Sequence, residues 1–330
     1  MFLGPGNSVA PQDQHRSRCV HEHDGGVTRG DRAGREHGAH GGRAVSARLR
    51  GIARDTERIV AEGAYRAPGG REVSLAAEIA AACEGTRMFG PEPVQMPPAP
   101  AGDTFFEVTG ESSLEAARRL TGGSTLEAAG RLTGPVAVLN FASARNPGGG
   151  YLNGAQAQEE ALCRGSALYT CLLRAPEFYD HHRAHRDPFY TDRVIHAPAV
   201  PVFRDDRGRL LDTPFTAGFL TAAAPNAGVV LRTAPERAAE LPGALAVRAG
   251  RVLETAAAHG YRRLVLGAWG CGVFRNDPAQ VAGAFRDLLG PGGRFAGTFG
   301  QVVFGVLDRT PGTVVKAAFE RAFPVSEFPA

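Results

Sequence analysis

The 330-residue chain lacks most of the marks of a secreted, membrane-bound or nucleic-acid-binding protein. Its five cysteines (Cys19, Cys83, Cys163, Cys171, Cys271) are odd in number and none stands in a CxxC pair. A disulfide framework is therefore not expected, and a reducing compartment suits the chain. No apolar run reaches the roughly 20 residues of a membrane span, and the first residues lack the basic-then-apolar order of a signal peptide. A cytoplasmic, monomeric protein with no membrane attachment is the expectation. Lysine is nearly missing: of 37 basic residues only Lys316 is not arginine, a usage we read as coding bias. A formal net charge of +3 without any Lys/Arg block makes no electrostatic case for nucleic acid.

What is present suits a globular protein. Hydrophobic content of 43% and charged content of 22% are ordinary, and the length allows a substantial core in one or two domains. Residues 1–45 are the exception, rich in Gly, His, Arg and Asp with no apolar period. They read as a disordered tail, although Cys19, His21 and His23 also invite a metal. From Ser46 to Glu62 apolar residues recur at helical spacing. A second helical run covers Ser74 to Cys83, and the proline-rich 91–100 reads as an extended linker.

A short duplication follows. Ser112-Ser113-Leu114-Glu115 and Ser124-Thr125-Leu126-Glu127 each open a copy with a capping box, and Gly122 and Gly134 close them. Residues 46–134 are thus expected to be a helical extension, with the catalytic domain at 135–330.

Beyond Pro135 apolar runs suited to buried strands (136–141, 194–202, 215–223, 264–269, 302–307) alternate with helical stretches near 158–174, 236–258, 278–289 and 312–322. That alternation implies an α/β layered domain, with ligands at loops leaving the carboxyl ends of strands.

The chemistry concentrates in one stretch. The strand ending at Asn140 feeds a loop through Ser143 to Gly148-Gly149-Gly150, and seven residues later come Gln158-Glu159-Glu160 at the start of a helix. Glycines let the backbone take positive φ and approach a ligand, and their amides can form an anion-binding concavity. Acids beside such a cradle suggest reaction at a phosphate-bearing sugar. The same two acids would also suit a helix dipole without any chemistry. A second loop, Gly267 to Pro278, holds Gly270-Cys271-Gly272-Val273-Phe274 between a strand and a helix. Two loops converging would suit a pyrophosphate. Cys271 has no histidine in its motif to activate it, so a nucleophilic role is not expected. His181, His182 and His185 are expected on a solvated helix end or loop, not around a metal.

Gly148–Gly150 with Gln158-Glu159-Glu160 resembles the signature of poly(ADP-ribose) glycohydrolases. The flanking Leu139–Pro147 and the loop Gly267–Pro278 resemble the compact bacterial type. The resemblance implies a macrodomain-like α/β/α three-layer sandwich with a mixed sheet and a helical N-terminal extension, holding ADP-ribose without metal or redox cofactor. It implies that Glu160 is the general acid, which later activates the water, and that Glu159 binds the ribose being cleaved. Phe274 would pack on the ribose and adenosine, Gln158 would orient the loop or the acids, and Asn140 and Ser143 would bond ribose hydroxyls. The implied substrate is poly(ADP-ribose) or an ADP-ribosylated protein and the product is ADP-ribose, with cleavage from chain ends. A hydrolase of mono-ADP-ribosyl adducts and a non-catalytic ADP-ribose reader are the competing functions.

Overall fold

The computed structural model describes residues 31–98, 102–122 and 132–324, with side chains from Ala44 onward. The chain divides into two compact units, Met1–Arg43 and Ala44–Ala330, and all that follows concerns the second. Residues 1–30 of the expected disordered tail, with the Cys19/His21/His23 group, fall outside the described residues, whereas its last stretch, 31–45, is helical and belongs to the first helix, Asp31–Glu62. So does most of the second copy of the duplication.

Helix α1 (Asp31–Glu62) leads into a small antiparallel hairpin, β1 (Ala64–Arg66) and β2 (Glu72–Ser74). Then come α2 (Ala76–Gly85), β3 (Arg87–Phe89), β4 (Phe105–Thr109), α3 (Ser113–Thr121) and β5 (Val136–Phe141). Three short helices follow, α4 (Gln158–Gly165), α5 (Leu168–Leu172) and α6 (Pro176–Ala184), before the long strands β6 (Val194–Arg204) and β7 (Leu210–Ala222). The rest alternates: α7 (Ala227–Thr233), α8 (Leu241–Ala258), β8 (Arg263–Gly267), α9 (Pro278–Leu289), β9 (Gln301–Gly305) and α10 (Val314–Ala322). No helix among the described residues is long and apolar enough to cross a membrane.

Seven strands form one mixed sheet in the order β3-β6-β7-β5-β8-β9-β4. Strands β7, β5, β8, β9 and β4 run parallel, and β3 and β6 complete the sheet antiparallel. Successive side chains of a strand point to opposite faces, and β5 shows the result. Val136 and Val138 enter one apolar core, with residues of α1 to α6, while Ala137 and Leu139 enter a second, with α8, α9 and α10. Each face of the sheet is thus covered by helices, which gives three layers.

Several boundaries differ from the sequence reading, each for a local reason. The helix expected over 158–174 breaks after Gly165, where Ser166 turns to extended backbone and bridges to Val202 of β6. The helix expected from 236 begins as a 3-10 segment, Pro235–Glu240, ahead of α8. Strand β4 carries no alternation that sets it apart from its proline-rich approach; it is made by parallel pairing with β9. The sequence boundary at 135 does not coincide with a structural one: β3 and β4 form the two edges of the main sheet, and α1 to α3 share a core with β5. The first capping box is formed as read, Ser112 and Glu115 each accepting the other's amide.

Helix α1 matters to the site because it backs the glycine loop. Thr56 donates to the carbonyl of Arg164 at 2.9 Å, and buried Arg204 donates to Thr56 at 3.0 Å and pairs with Asp55. Tyr151, just past the glycines, has no solvent exposure and donates to Glu57 at 2.9 Å.

The second core can be probed at Phe304, which is fully buried against Phe285, Phe319 and Phe323. Phe304→Ala is expected to lower unfolding free energy by about 3–5 kcal/mol in urea denaturation. A loss below about 0.5 kcal/mol, the level of a surface change, would mean that this layer is not close-packed.

Candidate active site

Parallel strands β5, β7, β8 and β9 end on one edge of the sheet, and both glycine loops leave from it. At the end of β5, Gln158 clasps the strand. Its amide nitrogen donates to Leu139 O at 2.8 Å and to Ser113 Oγ at 3.1 Å, and its oxygen accepts from Phe141 N at 2.9 Å. The side chain takes the place of a neighbouring strand on both sides of Asn140. That fixes the start of α4, and with it Glu159 and Glu160.

The two acids project about 100° apart on the helix and meet different partners. Glu159 turns inward, 2% exposed. It accepts from Asn140 Nδ2 at 3.2 Å and Ser143 N at 2.7 Å, and the Gly148 amide reaches it too. Burial pushes its carboxyl up to about 8; the amides of Ser143 and Asn140 oppose that shift and neighbouring Glu160 adds to it. Glu160 lies nearer the surface of the loop, accepting from Gly150 N at 2.8 Å and from Ala157 N at 3.0 Å.

The glycine loop closes on these carboxylates. Gly148 and Gly149 have φ of 65° and 57°, in the left-handed region that favours glycine. A Cβ on Gly149 would lie 2.5 Å from Glu160 Oε1 and 3.2 Å from Glu159 Oε2. The amides that the sequence reading offered to a phosphate are engaged within the protein: Gly148 with Glu159, Gly149 with Asn146 O, and Gly150 with Glu160. This loop is a bracket for the acids.

The second loop differs. Trp269 is buried and donates to Ala222 O at 3.0 Å, tying the loop to the end of β7. Asn276 closes it, its backbone and side-chain nitrogens both donating to Gly270 O and its side chain also to Pro225 O at 2.8 Å. Between these anchors the consecutive amides of Gly272, Val273 and Phe274 meet no acceptor among the described residues. Successive unengaged amides of this kind form an anion-binding concavity.

Residues 53–205 match the family model of the microbial-type PARG catalytic domain. Poly(ADP-ribose) glycohydrolase from Thermomonospora curvata is 49% identical, with a TM-score of 0.76 over 84% of this chain and all of that one. The same enzyme bound to the inhibitor ADP-HPD gives 0.74 at the same identity and coverage. The Deinococcus radiodurans enzyme in complex with ADP-ribose is 44% identical, with a TM-score of 0.67 over 76% of this chain and 99% of that one. No curated protein sequence matches.

The chain belongs to the microbial-type poly(ADP-ribose) glycohydrolase family. In this glycohydrolase Asn140 and Ser143, expected at ribose hydroxyls, hold Glu159 from behind, and Asn140 is fully buried. Phe274 is half-buried, its ring 5.8 Å from that of Tyr190, and Val273 is 81% exposed. The Cys271 thiol is pushed up to about 12 by burial, which leaves it a poor nucleophile at neutral pH. His182 departs from the solvated position expected of it. It is fully buried, with its ring nitrogens bonded to Phe178 O and Thr191 Oγ1, and burial lowers its pKa to about 4.

Sequence reasoning missed Thr221, Asn276 and Arg248. Thr221 is the register partner of Asn140 on β7 and lies 3.1 Å from its amide. Buried Arg248 of α8 donates to Phe189 O and Ala223 O, both at 2.8 Å, joining two loops beside the site. A register pair and a long-range arginine leave no local mark; only the Asn-Asp-Pro helix start at 276–278 could have drawn attention to Asn276.

Two outcomes follow from this geometry. Gly149→Ala drives a methyl into Glu160, and a displacement near 1 Å should reduce turnover about 10²-fold; a kinetic assay finding wild-type rates would show that the loop does not position the acid. Glu159's carboxyl rises from an ordinary 4.5 to about 8 in the folded state. The stability this contributes is complete below the unfolded value and is lost as pH rises through the folded one. Melting curves of wild type and Glu159→Gln should therefore diverge in the variant's favour between pH 5 and 9, the span bracketing that shift. A constant difference would mean that Glu159 is solvated.

Proposed function

We propose that this poly(ADP-ribose) glycohydrolase cleaves the ribose–ribose O-glycosidic bond from chain ends, releasing ADP-ribose, with Glu160 as general acid and then general base. The observation that carries the assignment is the clamping of Glu160 between the amides of Gly150 and Ala157, against Gly149, at the sheet edge where both glycine loops emerge. Glycoside cleavage passes through an oxocarbenium-like transition state and needs a proton on the leaving oxygen. An acid held in one orientation supplies it without reorganising, and the resulting carboxylate then takes a proton from the attacking water.

Glu159 supports this chemistry from the neighbouring position. Burial favours its neutral form below pH of about 8. Its fixed carboxyl is suited to hold a hydroxyl of the ribose that is cleaved off. The diphosphate is assigned to the amides of Gly272, Val273 and Phe274, which have no acceptor among the described residues. Its negative charge near the reacting ribose would help to stabilise the developing cation. The Phe274 and Tyr190 rings offer an aromatic wall to the adenosine. A reader without activity would have no use for two buried, bracketed acids.

Glu160→Gln tests the assignment. It should keep ADP-ribose affinity in calorimetry while turnover falls by about 10²–10⁴-fold, the range for a lost general acid. An active Glu160→Gln enzyme would falsify the role. Release of ADP-ribose alone from long polymer in the earliest products would support end cleavage, and early oligomers would refute it. Faster release from a mono-ADP-ribosylated protein than from polymer would favour the mono-ADP-ribosyl reading.

A further inference from the structure

The molecule holds a thiol pair that the glycosidase chemistry does not use. Cys83 on α2 and Cys171 on α5 come from distant parts of the chain, and their sulfurs lie 3.9 Å apart. Cys171 has no exposure, whereas Cys83 borders a surface groove of about 490 Å³ between α1, α2 and α5. Thr170 and Arg174 form the opposite wall. Cys83, 7% exposed, is the member of the pair that lines the groove.

The surroundings distinguish Cys83 from the other described cysteines. The contact with Cys171 holds the Cys83 thiol below its ordinary range, and the Arg174 guanidinium adds to the shift against the effect of burial. Cys171, Cys163 and Cys271 are all shifted the other way, Cys171 by its bond with Cys83 and then burial, Cys163 and Cys271 by burial first. A thiolate, not a thiol, attacks peroxides, and reactive cysteines occupy cationic, reachable settings of this kind.

We propose that Cys83 and Cys171 are a peroxide-responsive pair, with Cys83 the sulfur that hydrogen peroxide oxidises and Cys171 the thiol that resolves it into a disulfide joining α2 to α5. In the first step the Cys83 thiolate attacks one peroxide oxygen. The O–O bond breaks, Cys83 becomes a sulfenic acid, and the departing hydroxide takes a proton and leaves as water. In the second, the Cys171 sulfur gives up its proton and attacks the Cys83 sulfur. The S–S bond forms, the S–O bond breaks, and hydroxide leaves with that proton as a second water. Two thiols have then lost two electrons and two protons, and one peroxide has become two waters.

The sulfurs must close from 3.9 Å to about 2.0 Å. Helix α5 also carries Tyr169, whose ring would lie 2.9 Å from a Cβ on Gly148. The new bond would therefore tether the element that packs beneath the glycine bracket.

The test is peptide mapping of the full-length enzyme after hydrogen peroxide and alkylation. A Cys83–Cys171 disulfide in wild type is expected, reversed by dithiothreitol, while Cys163 and Cys271 remain alkylated as free thiols. In Cys171→Ser, dimedone should trap a sulfenic acid at Cys83; in Cys83→Ser, Cys171 should stay reduced. Oxidation of Cys271 or Cys163 ahead of Cys83, or oxidised Cys83 without a bond to Cys171, would overturn the proposal. The wild-type map decides it even if either variant folds poorly.

Discussion

The site depends on a backbone turn gripping two adjacent carboxylates. Gly148 and Gly150 each direct an amide at a different glutamate, while Gly149 between them leaves no room for a side chain. Consecutive residues of a helix cannot face one point alike, so a single flat surface could not hold both acids. A turn that curls through positive φ presents amides in more than one direction, and glycine adopts that path without the steric cost other residues meet. Both acids are thereby oriented before any substrate arrives, which is the condition under which fixed groups act most strongly on a transition state.

This grip is only as rigid as what lies behind it. Strand β5 is central in the sheet, paired on both sides, and its end is extended by the Gln158 clasp. Asn140 links Glu159 to Thr221 on the next strand, so the inner acid is tied to two strands. On the outer side Tyr151 and Arg204 join the loop and β6 to α1. The helices ahead of the core thus serve the site as a backstop. They could not be detached without releasing the loop.

The two glycine loops divide the work that a sequence motif makes look shared. In the first, backbone amides are saturated by the protein's own acceptors. In the second, Trp269 and Asn276 anchor the ends and three amides between them remain unengaged among the described residues. The physical difference is the presence of buried acids: a glycine turn next to buried carboxylates satisfies them, and one without them leaves its donors unengaged among the described residues. Glu159 prefers its proton at neutral pH because burial penalises its charged form, with neighbouring Glu160 adding a lesser push.

The sequence alone determined the layered α/β class and the positions of the central strands, and it marked the stretch from Asn140 to Glu160 as the candidate site. These depend on local signals: apolar runs of strand length, glycine where φ must be positive, and acids at a helix start. The family likeness rested on the same residues. What only the tertiary structure decided depends on partners distant in sequence. Strand β4 exists through β9, Thr221 reaches Asn140 through strand register, and His182 is buried by packing that its polar neighbours do not announce. The use of each glycine amide was equally hidden, because whether an amide meets a carboxylate or stands free depends on the three-dimensional neighbours that satisfy it, and a linear pattern does not contain them.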